Sequence, residues 1–242
     1  MEEAEGRGAE EGHAVVTPDE RQQMRDVLRA ALRQAVLPGA TPDPPGGYRR
    51  RDPAAHDLAP GFIAELTAVG GTVHQPAASD APTIAGLIAG IAAEAAVKRA
   101  LMWDDDWLPV SGLAAALEAS EFAIDRQQTD DLASDARRAE LATATIGITG
   151  AEAALSDTGS LVLVSGPGRG RLASLLPPVH IAIIERAKIQ RSLPDLLLDR
   201  PELATSGSNL VCITGPSRTA DIEHTLSRGV HGPKEVHVIL VP

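Results

Sequence analysis

Aromatic side chains are the scarcest component of this 242-residue chain: two Trp, one Tyr and two Phe amount to 2% of it. Stacking platforms for bases are few, which argues against single-stranded nucleic-acid binding, and a core has to be built from Ala, Leu, Ile and Val. Cysteine is almost missing. Cys212 stands alone, so no internal disulfide forms and the four thiolates of an iron–sulfur cluster cannot come from this chain. The seven histidines lack metal-ligand spacing, so no metal site and no cofactor of its own are expected. Basic residues are outnumbered, 22 Lys and Arg against 33 Asp and Glu, for a formal charge of −11; that balance opposes DNA, RNA and anionic lipid as partners. No apolar run is long enough to span a membrane. The longest, 84–97, is rich in Ala and Gly and broken by Glu94, and no charged region followed by an apolar one opens the chain. A soluble cytoplasmic protein is expected.

Hydrophobic residues make up 43% of the sequence, ample for a substantial core in one large or two small domains. Residues 1–16 are polar and rich in Glu and Gly, which reads as a disordered acidic tail. Thr17-Pro18-Asp19-Glu20 is a capping box with Pro at the first helical position, and Met24, Val27, Leu28, Ala31, Leu32 and Ala35 mark one apolar face, so a helix is predicted to about residue 36. Residues 37–53 hold five prolines and the cluster Arg49-Arg50-Arg51. Neither helix nor strand tolerates that composition; it is a linker or a long excursion, its arginines either solvated or a docking patch for an acidic partner. The main domain is placed at 54–242.

From residue 57 helices and strands alternate. Helices are predicted at 57–69, 83–93, 111–119, 131–141 and 220–227, and strands at 72–74, 96–103, 122–124, 144–148, 161–164, 180–184, 209–214 and 235–241. Alternation of this kind predicts an α/β fold, a doubly wound three-layer, mainly parallel sheet with an N-terminal helical extension. Apolar runs such as Leu161-Val162-Leu163-Val164 suit strands buried on both faces.

Ligands in open α/β sheets sit outside the carboxyl ends of the strands, which directs attention to four loops. The first, after 144–148, carries Glu152 and Asp157 among small residues; they can act as acid and base, or the loop is simply a capped turn. The second is Ser165-Gly166-Pro167-Gly168-Arg169-Gly170-Arg171. Glycine backbone with two guanidinium groups makes an anion site of Gly168, Arg169 and Arg171, although a flexible solvated turn reads equally well. It has neither Walker A nor Rossmann spacing. The third loop, Gly215-Pro216-Ser217-Arg218-Thr219, leads into the predicted helix 220–227. Ser217 or Thr219 can cap that helix, and Arg218 at its N-terminus can grip a carboxylate or phosphate, unless it pairs with Asp221 or Glu223. The fourth places His231 between Val230 and Gly232, free to serve as acid, base or donor, or to cap a backbone group. His180 reads as structural. Ser217, His231 and Asp221 compose a triad on paper only, since no nucleophile elbow is present.

Five motifs then occur in order: Gly147-Ile148-Thr149-Gly150-Ala151-Glu152, Asp157-Thr158-Gly159-Ser160-Leu161-Val162, Leu175-Leu176-Pro177-Pro178-Val179-His180-Ile181, the run from Gly215 to Glu223, and Gly229-Val230-His231-Gly232-Pro233. With these the sequence resembles the LutC/YkgG family of lactate-utilisation proteins, single-domain members of the LUD group, strongly over 144–242 and weakly before. The resemblance implies a fold like that of the NagB/RpiA/CoA-transferase group. It also implies a place in a three-protein system oxidising L-lactate to pyruvate, as an accessory or regulatory subunit beside partners that carry the iron–sulfur clusters. Asp157-Thr158-Gly159-Ser160 stands where the family usually has Glu-Thr-Gly-Thr, which shortens the acid by one methylene. The residues themselves leave open a second function, an enzyme or binder acting on a small anionic metabolite such as a carboxylate, sugar phosphate or CoA ester. There Arg171 and Arg218 would be clamps, Glu152 or Asp157 the acid–base group and His231 the donor, all on one cleft.

Overall fold

The structure, a computed structural model, describes residues 17–34, 57–93, 98–127, 134–220, 226–228 and 231–242. The acidic tail 1–16, the proline-rich stretch 37–53 with its arginines, and Asp221, Glu223, Gly229 and Val230 lie outside the described residues. The chain forms two compact units, 1–49 and 50–242.

In the first unit, α1 (Pro18–Gln34) begins at the predicted capping box. Thr17 N–H donates to Glu20 Oε2 at 2.7 Å and Glu20 N–H to Thr17 Oγ1 at 3.3 Å, so two of the amides a helix start leaves orphaned find acceptors.

The second unit runs through α2 (Ala59–Ala68), β1 (Thr72–His74), α3 (Ala81–Ile91), β2 (Arg99–Met102), α4 (Leu113–Ala119), β3 (Ala123–Asp125), α5 (Asp135–Leu141), β4 (Ile146–Gly150), β5 (Ala153–Leu155), β6 (Ser160–Ser165), α6 (Leu172–Leu175), β7 (Val179–Glu185), β8 (Ile189–Gln190), α7 (Leu193–Asp199), β9 (Asn209–Ile213), β10 (Arg218–Ala220), β11 (Leu226–Arg228) and β12 (Glu235–Val241). Local signals set several starts. Asp80 accepts from Thr83 N–H at 2.9 Å to open α3, and Ser192 accepts from Asp195 N–H at 3.3 Å to open α7.

Six strands make one wholly parallel sheet in the order β1-β12-β7-β4-β2-β3. From β1 to β2 and from β2 to β3 the chain moves one way across it; from β3 to β4, to β7 and to β12 it moves back. Right-handed crossovers therefore place α3 and α4 on one face, where they pack on each other, and α5 and α6 on the other. This is the expected doubly wound α/β sheet.

Two of its expected strands stand elsewhere. The segments predicted at 161–164 and 209–214 form β6 and β9 of a second sheet, β8-β5-β6-β9, in which β6 is antiparallel to both neighbours. Leu161 and Leu163 join the main core, while Val162 and Val164 join a small second core with Leu196 and Leu203. An unbroken apolar run does mean burial on both faces, as predicted, but it carries no information about the direction of the neighbouring strand.

At both ends of the helix predicted at 220–227 the described residues are strand, and 221–225 lie outside the described residues. Arg218–Ala220 and Leu226–Arg228 pair antiparallel, Arg218 opposite Arg228. Arg218 and Thr219 therefore stand in a strand and not at the start of a described helix. Cap-like residues mark turns as readily as helix starts, and cross-strand pairing satisfies the backbone that a helix would have satisfied internally.

Candidate functional site

The chain leaves β2 toward β3 but leaves β4 toward β7, so the carboxyl ends of β2 and β4 flank the topological switch point of the sheet. Trp103 and a 3-10 turn, Asp105–Trp107, follow β2; Ala151 and Glu152 follow β4. A crevice of about 360 Å³ opens there, walled by both tryptophans of the chain and by Asp106, Glu152, Glu185 and Lys188.

Glu152 is held from two sides. Arg169 Nη1 donates to its Oε1 at 2.6 Å and Arg200 Nη2 to its Oε2 at 3.0 Å. The Arg169 guanidinium also lies 3.8 Å from the ring centre of Trp107, so charge pairing and cation–π stacking act on one side chain that is only 7% exposed. The glycine–arginine loop reaches this place by docking on the β2 loop. Asp104 N–H donates to Gly168 O at 2.9 Å, and Trp103 Nε1 to Gly170 O at 3.0 Å. Gly168 has φ +70°, and a Cβ there would meet Asp104 Oδ2 at 2.7 Å and Trp107 Nε1 at 3.0 Å; the left-handed backbone favours glycine. Beyond β3, Arg126 bonds Asp104 and Asp105, both at 3.0 Å, and Gln127 Oε1 accepts from Leu172 N–H at 2.9 Å. A second cavity, about 320 Å³, lies against the loop and is lined by Gln127, Ser165, residues 166–171 and Ser208.

The structure thus brings together Glu152, Gly168, Arg169 and, at the rim, Arg171. Asp157 is not among them: it is exposed on the turn from β5 to β6, its amide bonded to Arg191 O. That turn is fixed by Gly159, where φ is +66° and a Cβ would lie 2.3 Å from the Leu66 amide. Gly215, Ser217, Arg218 and His231 form a different group. Ser217 N–H donates to Pro233 O at 2.9 Å, a Cβ on Gly232 would touch Ser217 Cβ at 3.4 Å, and Arg218 Nη2 donates to Val69 O. Gly215, at φ +82°, packs on Val69. Thr219 pairs through its backbone with Ser227. His231 is exposed. Val69 precedes β1 and Pro233 precedes β12, so this group sits at the amino ends of parallel strands whose carboxyl ends face Glu152. At about 3.3 Å per residue the two groups are on the order of 15 Å apart, and Arg171, Arg218, Glu152 and His231 do not share one cleft.

Sequence reasoning missed Trp103, Asp104, Trp107, Gln127 and Arg200. The rule that singled out Glu152, inspection of the loop after each strand, applies equally to Asp104-Asp105-Asp106-Trp107 after β2. Arg200 has no such signal, because only folding brings the end of α7 to Glu152 in the loop after β4. Histidines show the same effect. His180 is fully buried on β7, with Nε2 2.9 Å from Thr149 Oγ1, and burial first, then the charge of His237, push its pKa down to about 4. Parallel pairing of β1 with β12 sets His74 Nε2 3.1 Å from His237 Nδ1. Among the described residues no three His, Cys, Asp or Glu converge as a metal site, and no helix is long and apolar enough to cross a membrane.

An α/β protein with a polar cleft at the switch point of a parallel sheet, its Glu152 held by two arginines, is the class that fold and site define. Residues 59–241 match the LUD domain, and the chain belongs to that family, as the ordered motifs implied. Lactate utilization protein C from Halalkalibacterium halodurans is 34% identical over 153 residues, 61% of this chain and 64% of that protein. Its namesake from Bacillus subtilis is 40% identical over 104 residues, 40% of this chain and 42% of that one. The chain thus spans less than two thirds of the length of these curated relatives. A DUF162 family protein from Deinococcus radiodurans shares the fold, with a TM-score of 0.55 at 22% identity over 76% of this chain and 96% of that one.

Proposed function

We propose that the chain is a cytoplasmic lactate-utilisation protein, an accessory or regulatory subunit of a system that oxidises L-lactate to pyruvate. Oxidation of the hydroxyl to a ketone releases two electrons and two protons. With Cys212 as its one cysteine, the chain leaves the iron–sulfur clusters that accept those electrons to partner subunits. What carries the reading is similarity to proteins named lactate utilization protein C, at 34% identity over 153 residues and 40% over 104. Deletion of the gene is expected to abolish growth on L-lactate, with recovery on complementation, and anaerobic purification is expected to bring down cluster-bearing partners. Normal growth of the deletion strain, with no other lactate oxidase present, overturns it.

A second reading, a binder or enzyme for a small anionic metabolite, draws support from the cavity at the glycine–arginine loop, whose lining includes Arg169 and Arg171 and no carboxylate. Glu152 then acts by holding Arg169 at the cavity, while Asp157, His231 and the group around Arg218 take no part. Thermal stabilisation by lactate, pyruvate, sugar phosphates or acyl-CoA, lost in Arg171→Ala, is the expected result; no response to any of them discards the reading.

A further inference from the structure

We propose that the cavity beside the glycine–arginine loop binds a phosphoryl group, that of a phosphomonoester or of inorganic phosphate, between the Nε and Nη2 edge of Arg169 and the guanidinium of Arg171. The inference rests on the small-anion reading and names the class of anion.

Arg169 has two edges with different surroundings. Nη1 is committed to Glu152. The other edge faces Gly166, where an added Cβ would stand 3.4 Å from Nη2 and 3.8 Å from Nε; the glycine places no side chain against that edge. Nε is buried and has no hydrogen-bond partner among the described residues. A buried donor left unmet costs about 1–3 kcal/mol, more when charged, so the arrangement is completed by an acceptor that enters from the cavity. The Nε and Nη2 hydrogens are parallel, and an oxyanion presents two oxygens to such a fork side-on.

The surroundings select the kind of oxyanion. One fork already satisfies both oxygens of a planar carboxylate. Here further polar groups come from two segments: Gln127 beyond β3, whose amide NH₂ is free to donate because Oε1 takes the Leu172 amide, and Ser165 and Arg171 of the loop. Donors spread around a cavity suit three terminal oxygens arranged tetrahedrally. No carboxylate is among the lining residues, the nearby Asp104 and Glu152 being paired with Arg126 and Arg169, and the volume, about 320 Å³, is at the lower end of the range for small-molecule sites, about 300–1,000 Å³.

The test uses the full chain in calorimetric titration with inorganic phosphate, glycerol 3-phosphate, L-lactate and pyruvate, for wild type, Gly166→Ala and Arg171→Gln. Gly166 is outside the left-handed region, so alanine folds there while covering the Arg169 edge; both variants are expected to melt as wild type does without ligand. Phosphate and its ester are expected to bind, and each variant to weaken them about tenfold, as expected for loss of one charge-assisted contact. Tighter binding of the ester assigns a phosphorylated metabolite, equal binding assigns free phosphate, and either supports the site. Lactate or pyruvate binding as tightly as phosphate, with the same sensitivity to both variants, overturns the phosphoryl assignment and leaves the small-anion reading standing. No binding of any anion, or binding indifferent to both variants, removes both.

Discussion

Glu152 Oε1 accepts from Arg169 Nη1 at 2.6 Å across 17 positions of sequence, in a pair whose side chains are only 17% and 9% exposed. Removing one partner of a buried pair strands the other charge. Arg169→Ala is therefore expected to lower stability by about 3 kcal/mol, measured by urea unfolding. Glu152→Ala is expected to cost a similar amount, because it leaves two guanidinium groups facing each other. A double-mutant cycle with coupling below about 0.5 kcal/mol would show that the two residues act independently.

The pH dependence of stability has a definite sign. His180 is neutral when folded, its pKa pushed down to about 4, whereas in the unfolded chain it titrates near 6.5, so on acidification the unfolded state takes up the proton first. The stability this group supplies is full above about pH 6.5 and is lost as pH falls toward 4, by about 3 kcal/mol in all. Unfolding midpoints measured across that window should fall more steeply for wild type than for His180→Asn. Equal slopes contradict the assignment.

His74 is held below its ordinary pKa, first by burial and then by the charge of His237. In His237→Gln its titration, followed by NMR, should move upward yet stay below the ordinary value, since burial persists. A titration curve that does not move would make burial the whole cause.

Two kinds of glycine should respond in opposite senses to alanine. At Gly159 the left-handed backbone and the clash with Leu66 predict a loss of about 2 kcal/mol or more. At Gly86, inside α3 with nothing within 4 Å of the added carbon, a gain of about 0.5–1 kcal/mol is expected. Thermal melts of the two variants check both.

What the sequence determined by itself was whatever a few neighbouring residues decide: the capping box at Thr17 and Glu20, the alternation that makes a parallel α/β sheet, the burial of both faces of Leu161-Val162-Leu163-Val164, and the family motifs. Tertiary structure decided the rest. Residues 161–165 lie antiparallel to 209–213 in a second sheet, because strand direction belongs to the partner and not to the run. Residues 218–220 and 226–228 pair as antiparallel strands where caps suggested a helix, because cross-strand bonding offers the same backbone groups another set of partners. The four expected loops fell into separate groups because the order of strands in the sheet, which local patterns do not encode, sets Glu152 and Arg169 at its carboxyl end and Ser217 and Pro233 at its amino end. Arg200 met Glu152 for the same reason: a salt bridge between residues 48 apart exists only once the chain has folded.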